Sequence, residues 1–125
     1  MEPRLRPIPE SCSIAVSYTH LRDGQWTRAK GFDTFAPVGP CIETELDPEN
    51  LDISLTVNGT EHQHSNTSNF IFRIDEIVSF VSGVMTLFPG DIISTGTPSG
   101  IGPLFPGDTV TVSIEGIGEL ANHVR

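Results

Sequence analysis

The sequence predicts an α+β domain that is mainly β. Three observations carry that prediction. Residues 53–57 and 109–115 alternate strictly between apolar and polar, as half-buried strands do. Asn58-Gly59, Pro89-Gly90 and Pro106-Gly107 punctuate the chain with turn dipeptides. One stretch alone, residues 74–87, carries a helical stripe. Several short strands with one helix give a helix packed on a sheet. At 125 residues and 37% hydrophobic content the chain has one domain's length and enough apolar material for a core.

Pro3, Pro7 and Pro9 oppose a helix at the start, and residues 13–18 are expected to form a short strand. Residues 1–9 lack the apolar centre of a secretory signal, and no run approaches transmembrane length, so a reducing, cytoplasmic setting is expected. Residues 21–40 read as an irregular segment that crosses a site, because Pro37, Gly39 and Pro40 prevent regular structure. Arg22, Arg28 and Lys30 fall within nine residues, and Lys30 is the sole lysine of the chain. That cluster reads either as a solvated loop with charge pairs or as a patch that receives an anionic substrate. The formal net charge is −9, so nucleic acid and anionic membranes are excluded as partners. Cys12 and Cys41 form no C-x-x-C pair and are expected to be free thiols.

After the first alternating run, Asn58-Gly59 is a hairpin signal, because both central residues of a type I′ turn need positive φ. Residues 60–65 should be the returning strand, with His62 and His64 on one side of it. The pair suits a metal only with a third ligand, and an exposed polar face is the favoured reading. On the helix, Ile74, Ile77, Val78, Val81, Val84, Met85 and Phe88 mark the apolar stripe, and Asp75 and Glu76 sit where the dipole favours negative charge. The stripe predicts a core brace.

Residues 88–103 form the stretch around which the rest is organised. Pro89-Gly90 makes a turn, residues 91–94 read as a brief strand, and Gly96, Gly100 and Gly102 allow positive φ or close approach of a ligand. Backbone N–H groups and hydroxyls at a strand end suit a small anionic or carbonyl-bearing ligand; a plain surface loop is the alternative. Pro106-Gly107-Asp108 then turns into residues 109–115, with Val110, Val112 and Ile114 inward, and residues 119–124 make a last strand. Phe-Pro-Gly-Asp occurs twice, at 88–91 and 105–108, each time ahead of a predicted strand.

Several motifs in order resemble the C-terminal half of the catalytic domain of the fumarylacetoacetate hydrolase family: Lys30-Gly31-Phe32-Asp33-Thr34-Phe35, Pro37-Val38-Gly39-Pro40, Val57-Asn58-Gly59, Gln63, residues 89–102, Pro106-Gly107-Asp108 and Glu115-Gly116-Ile117-Gly118. The resemblance covers residues 21–125; residues 1–20 match none of it and are expected to be a separate, non-native lead segment. It implies a mixed β-sandwich or β-roll, here incomplete and with one packed helix, in a homodimer. It also implies chemistry on carbon–carbon bonds beside a 2-oxo acid: acylpyruvate or fumarylacetoacetate-type hydrolysis, or related decarboxylation or isomerisation in aromatic catabolism. Such a step leaves charge on an enolate, which Mg²⁺, or Mn²⁺ or Ca²⁺ in its place, stabilises as a Lewis acid. By this resemblance Lys30 and Thr97 are the catalytic residues, Gly96 and Thr97 bind substrate oxygens, and Thr34 stands near the metal.

The family pattern also implies an upstream Glu-x-Glu pair and an aspartate as metal ligands. Neither is found at its place: Glu43-Thr44-Glu45 has the spelling but follows Lys30. A metal cage needs several carboxylates, so this chain alone is expected to bind the cation weakly, as part of a larger enzyme. The alternative is an inactive relative that serves as a dimerising or interaction module. Strands that would pair with absent ones become exposed edges, which predicts poor solubility or obligate oligomerisation.

Overall fold

The computed structural model describes residue 31 and residues 33–125. The strand expected at 13–18, Cys12, Arg22, Arg28, Lys30 and Phe32 lie outside the described residues. The described residues form one antiparallel sheet with a helix beside it. Strands β1 (Asp52–Val57), β2 (Thr60–Asn66), β3 (Thr109–Ile114) and β4 (Gly118–His123) run in the order β2-β1-β3-β4. Helix α1 (Ile74–Val84) follows β2 after a 3₁₀ turn at Thr67–Asn69.

The predicted hairpin forms at the predicted dipeptide. Asn58 and Gly59 take φ of 51° and 80°, which the two-residue loop requires. Asn58 also ties the loop to the next strand: its N–H donates to Thr109 O at 2.8 Å, and Thr109 N donates to its side-chain Oδ1 at 2.9 Å.

Register explains the patterning. Leu55 pairs Val112, which pairs Leu120; Val57 pairs Val110; Ile53 pairs Ile114. These rows put the apolar residues of β1, β3 and β4 on one face and Ser54, Thr56, Thr111, Ser113 and Glu119 on the other. Val57, Val110 and Val124 form the buried cluster, with Leu55 and Leu104 packed against it. The irregular 37–40 segment lies over the remainder of this face, leaving an apolar hollow of about 320 Å³ between Pro37, Val38, Pro40 and the side chains of Leu55, Val112 and Leu120.

Three local expectations change. Residues 91–94 form no strand: the Asp91 carboxylate folds back onto Phe88 N at 2.8 Å, and Ile92 is exposed. The helix ends at Val84, three residues before Leu87. Nor does it brace the core. Ile74, Ile77 and Val81 are half-buried, while Val78, Val84 and Met85 are exposed, and none of the helix is fully buried. Its N-terminus does follow the dipole expectation, with Asp75 and Glu76 in the first turn and Arg73 N donating to Glu76 Oε2 at 2.9 Å. Arg73 also pairs with Glu49 and with Asp75.

The two Phe-Pro-Gly-Asp segments close in the same way. Phe88 N donates to Asp91 Oδ2 and Phe105 N to Asp108 Oδ2, each at 2.8 Å. Asp91 N and Asp108 N return to Phe88 O and Phe105 O, each at 3.0 Å. Gly90 and Gly107 have φ of 99° and 98°, the position a type II turn with proline before it reserves for glycine.

The N–H of Phe105, and next the Asn58 amide at 2.8 Å, hold the Asp108 carboxyl below the usual carboxylate range. A carboxyl with a depressed folded value stabilises the fold above its unfolded value, near ~3.9, and loses that contribution as pH falls through the folded value. Asp108→Asn should therefore lower the thermal midpoint at neutral pH, and its deficit should shrink once pH drops below about 4. Scanning calorimetry across pH checks this; a deficit constant down to acid pH would remove Asp108 from the linkage.

Candidate functional site: a threonine loop clamped to a strand bulge

The site begins with an irregularity in β2. A two-residue hairpin with regular pairing would place His62 opposite Leu55. Instead the register shifts between Leu55 and Thr56, so that Thr56 pairs Glu61 and Leu55 pairs Gln63. His62 is the extra residue of a β-bulge. The bulge brings Gln63 onto the apolar face, where it is 7% exposed and is the one buried polar side chain among the described residues.

A buried amide needs partners, and the glycine-threonine loop supplies them. Gln63 Nε2 donates to Pro98 O at 2.7 Å and to Thr97 Oγ1 at 3.0 Å, with Ser99 O at 3.4 Å. Carbonyl oxygens only accept, so the amide orientation follows from Pro98 and Ser99. On its other side the loop meets the bulge backbone. Gly100 has φ of 101°, and a Cβ built there would lie 2.0 Å from His62 O. Only glycine allows that approach.

Thus clamped, residues 95–98 form one wall of a cleft of about 380 Å³. Opposite stand Ser65 and Asn66 from the end of β2 and Thr67 of the 3₁₀ turn, with Phe70, Phe72 and Ile77 as the apolar wall. The described lining holds no charged side chain: it offers hydroxyls and amides on one side and hydrocarbon on the other. Such a cleft can orient a small oxygen-rich ligand through neutral donors, while net charge has to come from elsewhere.

Among the residues singled out from sequence, Gly96 and Thr97 come together on this cleft, and both are exposed to it. Gly96 has φ of 114°, so no side chain is expected there. Thr34 is exposed and takes φ of 70°, a left-handed conformation that a β-branched residue adopts only under constraint. Lys30 lies outside the described residues. Cys41 is a free thiol whose Sγ donates to Ile117 O at 3.7 Å. His64 contacts Glu61 at 3.3 Å, and the bulge at His62 interrupts the alternation that would put both histidines on one face. Among the described residues no three of His, Cys, Asp or Glu group where a metal ion could be held. A divalent cation therefore does not fit the described donor set.

The profile of the fumarylacetoacetate (FAA) hydrolase C-terminal family matches residues 14–125. The chain belongs to the fumarylacetoacetate hydrolase family. An uncharacterised protein of Methanocaldococcus jannaschii is 60% identical to this family chain over 104 residues, covering 83% of the chain and 44% of the relative. The crystal structure of 2-hydroxyhepta-2,4-diene-1,7-dioate isomerase from Mycobacterium marinum is similar at TM-score 0.81 and 56% identity, covering 85% of this chain and 42% of that one. That of maleylpyruvate hydrolase from Sphingobium sp. SYK-6, in complex with manganese(II) ion and pyruvate, is similar at TM-score 0.75 and 37% identity, over 91% and 49% of the two chains. This family chain thus spans less than half the length of each. The motifs quoted from Lys30 to Gly118 carried the resemblance correctly, and the antiparallel, mostly-β arrangement with one helix among the described residues agrees with it. Hydrolases and isomerases both stand among its structural neighbours.

Gln63 was legible only as a family motif residue. Nothing in Thr-Glu-His-Gln-His-Ser marks which side chain turns inward, because the alternation signal needs apolar residues and this strand has none.

Proposed function

We propose that this family chain supplies the substrate-oxygen side of an active site that cleaves or rearranges the carbon–carbon bond next to a 2-oxo acid. The supporting observation is the clamped loop that holds Thr97 on a cleft of neutral donors. Electron density that moves onto the 2-oxo oxygen in such a step is stabilised by donors already aimed at it. Thr97 Oγ1 is one such donor, and by the family resemblance the Lys30 ammonium is the second; Gly96 keeps the approach clear. Mg²⁺ or a similar cation remains the expected cofactor, with Thr34 near it and the carboxylates drawn from outside the described residues. A homodimer and a small 2-oxo acid substrate complete the reading.

The test uses pyruvate as the probe, titrated into the purified isotope-labelled chain with Mg²⁺ present, together with turnover assays on oxaloacetate and an acylpyruvate. Thr97→Val and Lys30→Ala should each weaken pyruvate binding by roughly tenfold or more, the value of a hydrogen bond to a charged group. Equal binding by the variants and the unaltered chain would refute the reading.

A second reading, an inactive relative acting as an interaction module, is favoured by the apolar surface that the helix and its preceding strap leave open. Ile71 is 90% exposed and Phe80 74%. A chain that is folded, self-associated and indifferent to pyruvate would favour it.

A further inference from the structure

We propose that Gln63 is the positioning residue that makes Thr97 a hydrogen-bond donor toward the cleft. The inference rests on the reading above that Thr97 meets the ligand, and it adds what sets the direction of its proton.

A threonine hydroxyl donates once and accepts from its lone pairs. Gln63 Nε2 sits 3.0 Å from Thr97 Oγ1 and donates to it, so the strand side of that oxygen is occupied as an acceptor. Among the described residues the hydroxyl proton has one alternative partner, Gln63 Oε1 at 3.4 Å, well beyond the 2.7–2.8 Å typical of O–H···O bonds. A ligand oxygen at ordinary distance displaces that long contact. Since Thr97 is exposed on the cleft side, the proton then turns outward. The same amide holds Pro98 O, so the hydroxyl and the loop backbone are fixed by one group. The bulge makes this possible: without the extra residue, His62 and not Gln63 would face Leu55.

Two variants separate positioning from simple support. Gln63→Met keeps the length and removes the hydrogen bonds; Gln63→Glu keeps the shape and removes the donor. Side-chain three-bond couplings of Thr97, read by NMR on the ligand-free chain, should report a single rotamer in the unaltered protein and averaging in Gln63→Met. Pyruvate affinity should fall by roughly tenfold in Gln63→Met, yet change by no more than about twofold when the same substitution is made in a Thr97→Val background. In Gln63→Glu pyruvate affinity should be lost, because a carboxylate cannot donate to Thr97 Oγ1 or Pro98 O and draws the hydroxyl proton to itself. Unchanged couplings in Gln63→Met, full pyruvate affinity in Gln63→Glu, or losses that simply add in the double variant would each overturn the proposal. If the unaltered chain and Thr97→Val bind pyruvate equally, the functional reading of the cleft fails, while the couplings still decide whether Gln63 orients Thr97.

Discussion

Gly100→Ala should release the Thr97 loop from β2 and destabilise the chain by about 2–5 kcal/mol. A non-glycine residue in the left-handed region costs about 1–2 kcal/mol, and forcing a methyl into occupied space adds about 1–3. The obstacle is the His62 carbonyl, 2.0 Å from the new Cβ, and bulge main chain fixed on both sides by the paired residues Glu61 and Gln63 cannot step aside as a flexible side chain would. Loop and strand must therefore separate. Gln63 then loses Pro98 O and Thr97 Oγ1 together and is left as a buried amide without partners. Gly102→Ala provides the control: its Cβ would meet nothing within 4 Å, so the change should stay within about 0.5 kcal/mol. Urea unfolding of both variants, with amide exchange at residues 97–100, checks the expectation. Equal effects at the two glycines would show that the bulge contact does not hold the loop.

The second large effect concerns association. Ile71, Phe72, Phe80, Val84 and Phe88 are each more than 60% exposed, a quantity of apolar surface that solitary soluble domains seldom leave uncovered. β2 and β4 are in addition open edges of the sheet among the described residues. Sedimentation velocity should find the chain self-associated in the micromolar range, the homodimer proposed above or larger species. The double substitution Ile71→Glu with Phe80→Glu should shift it toward monomer. Burying two large apolar side chains is worth about 3–6 kcal/mol, so the dissociation constant should rise a hundredfold or more. A monomeric unaltered chain whose unfolding is sharp and independent of concentration would contradict this.

What could be read from the sequence, and what could not, divides along a physical line. Asn58-Gly59 declared its hairpin because positive φ at two adjacent positions is a local requirement that few residues meet. The inward sets of β1 and β3 were equally plain, since Leu55, Val57, Val110 and Val112 alternate with hydroxyl side chains. The β-bulge was invisible, because a one-residue slip in an all-polar strand leaves no trace in hydropathy, although it decides which side chain reaches the site. Asp91-Ile92-Ile93-Ser94 has strand composition but no neighbouring strand among the described residues, and Asp91 closes the turn behind it instead. The helix stripe foretold an apolar face correctly; whether anything covers that face is not something periodicity encodes. Thr97 and Gly96 were legible as a candidate site through glycine and threonine content and through family resemblance, while the anchoring of that loop by Gln63 emerged only from the fold.

The paired Phe-Pro-Gly-Asp turns have a consequence for how such a site can vary. Each is a self-contained knot, its aspartate tied to the phenylalanine three residues earlier, so neither depends on the interval between them for its shape. Residues 92–104 are thus suspended between two matching brackets, one after the helix and one at the threshold of β3. Within that stretch the Gln63 clamp and the Gly100 contact fix residues 97–100, so the letters open to rewriting for a different ligand are those on either side of the clamp.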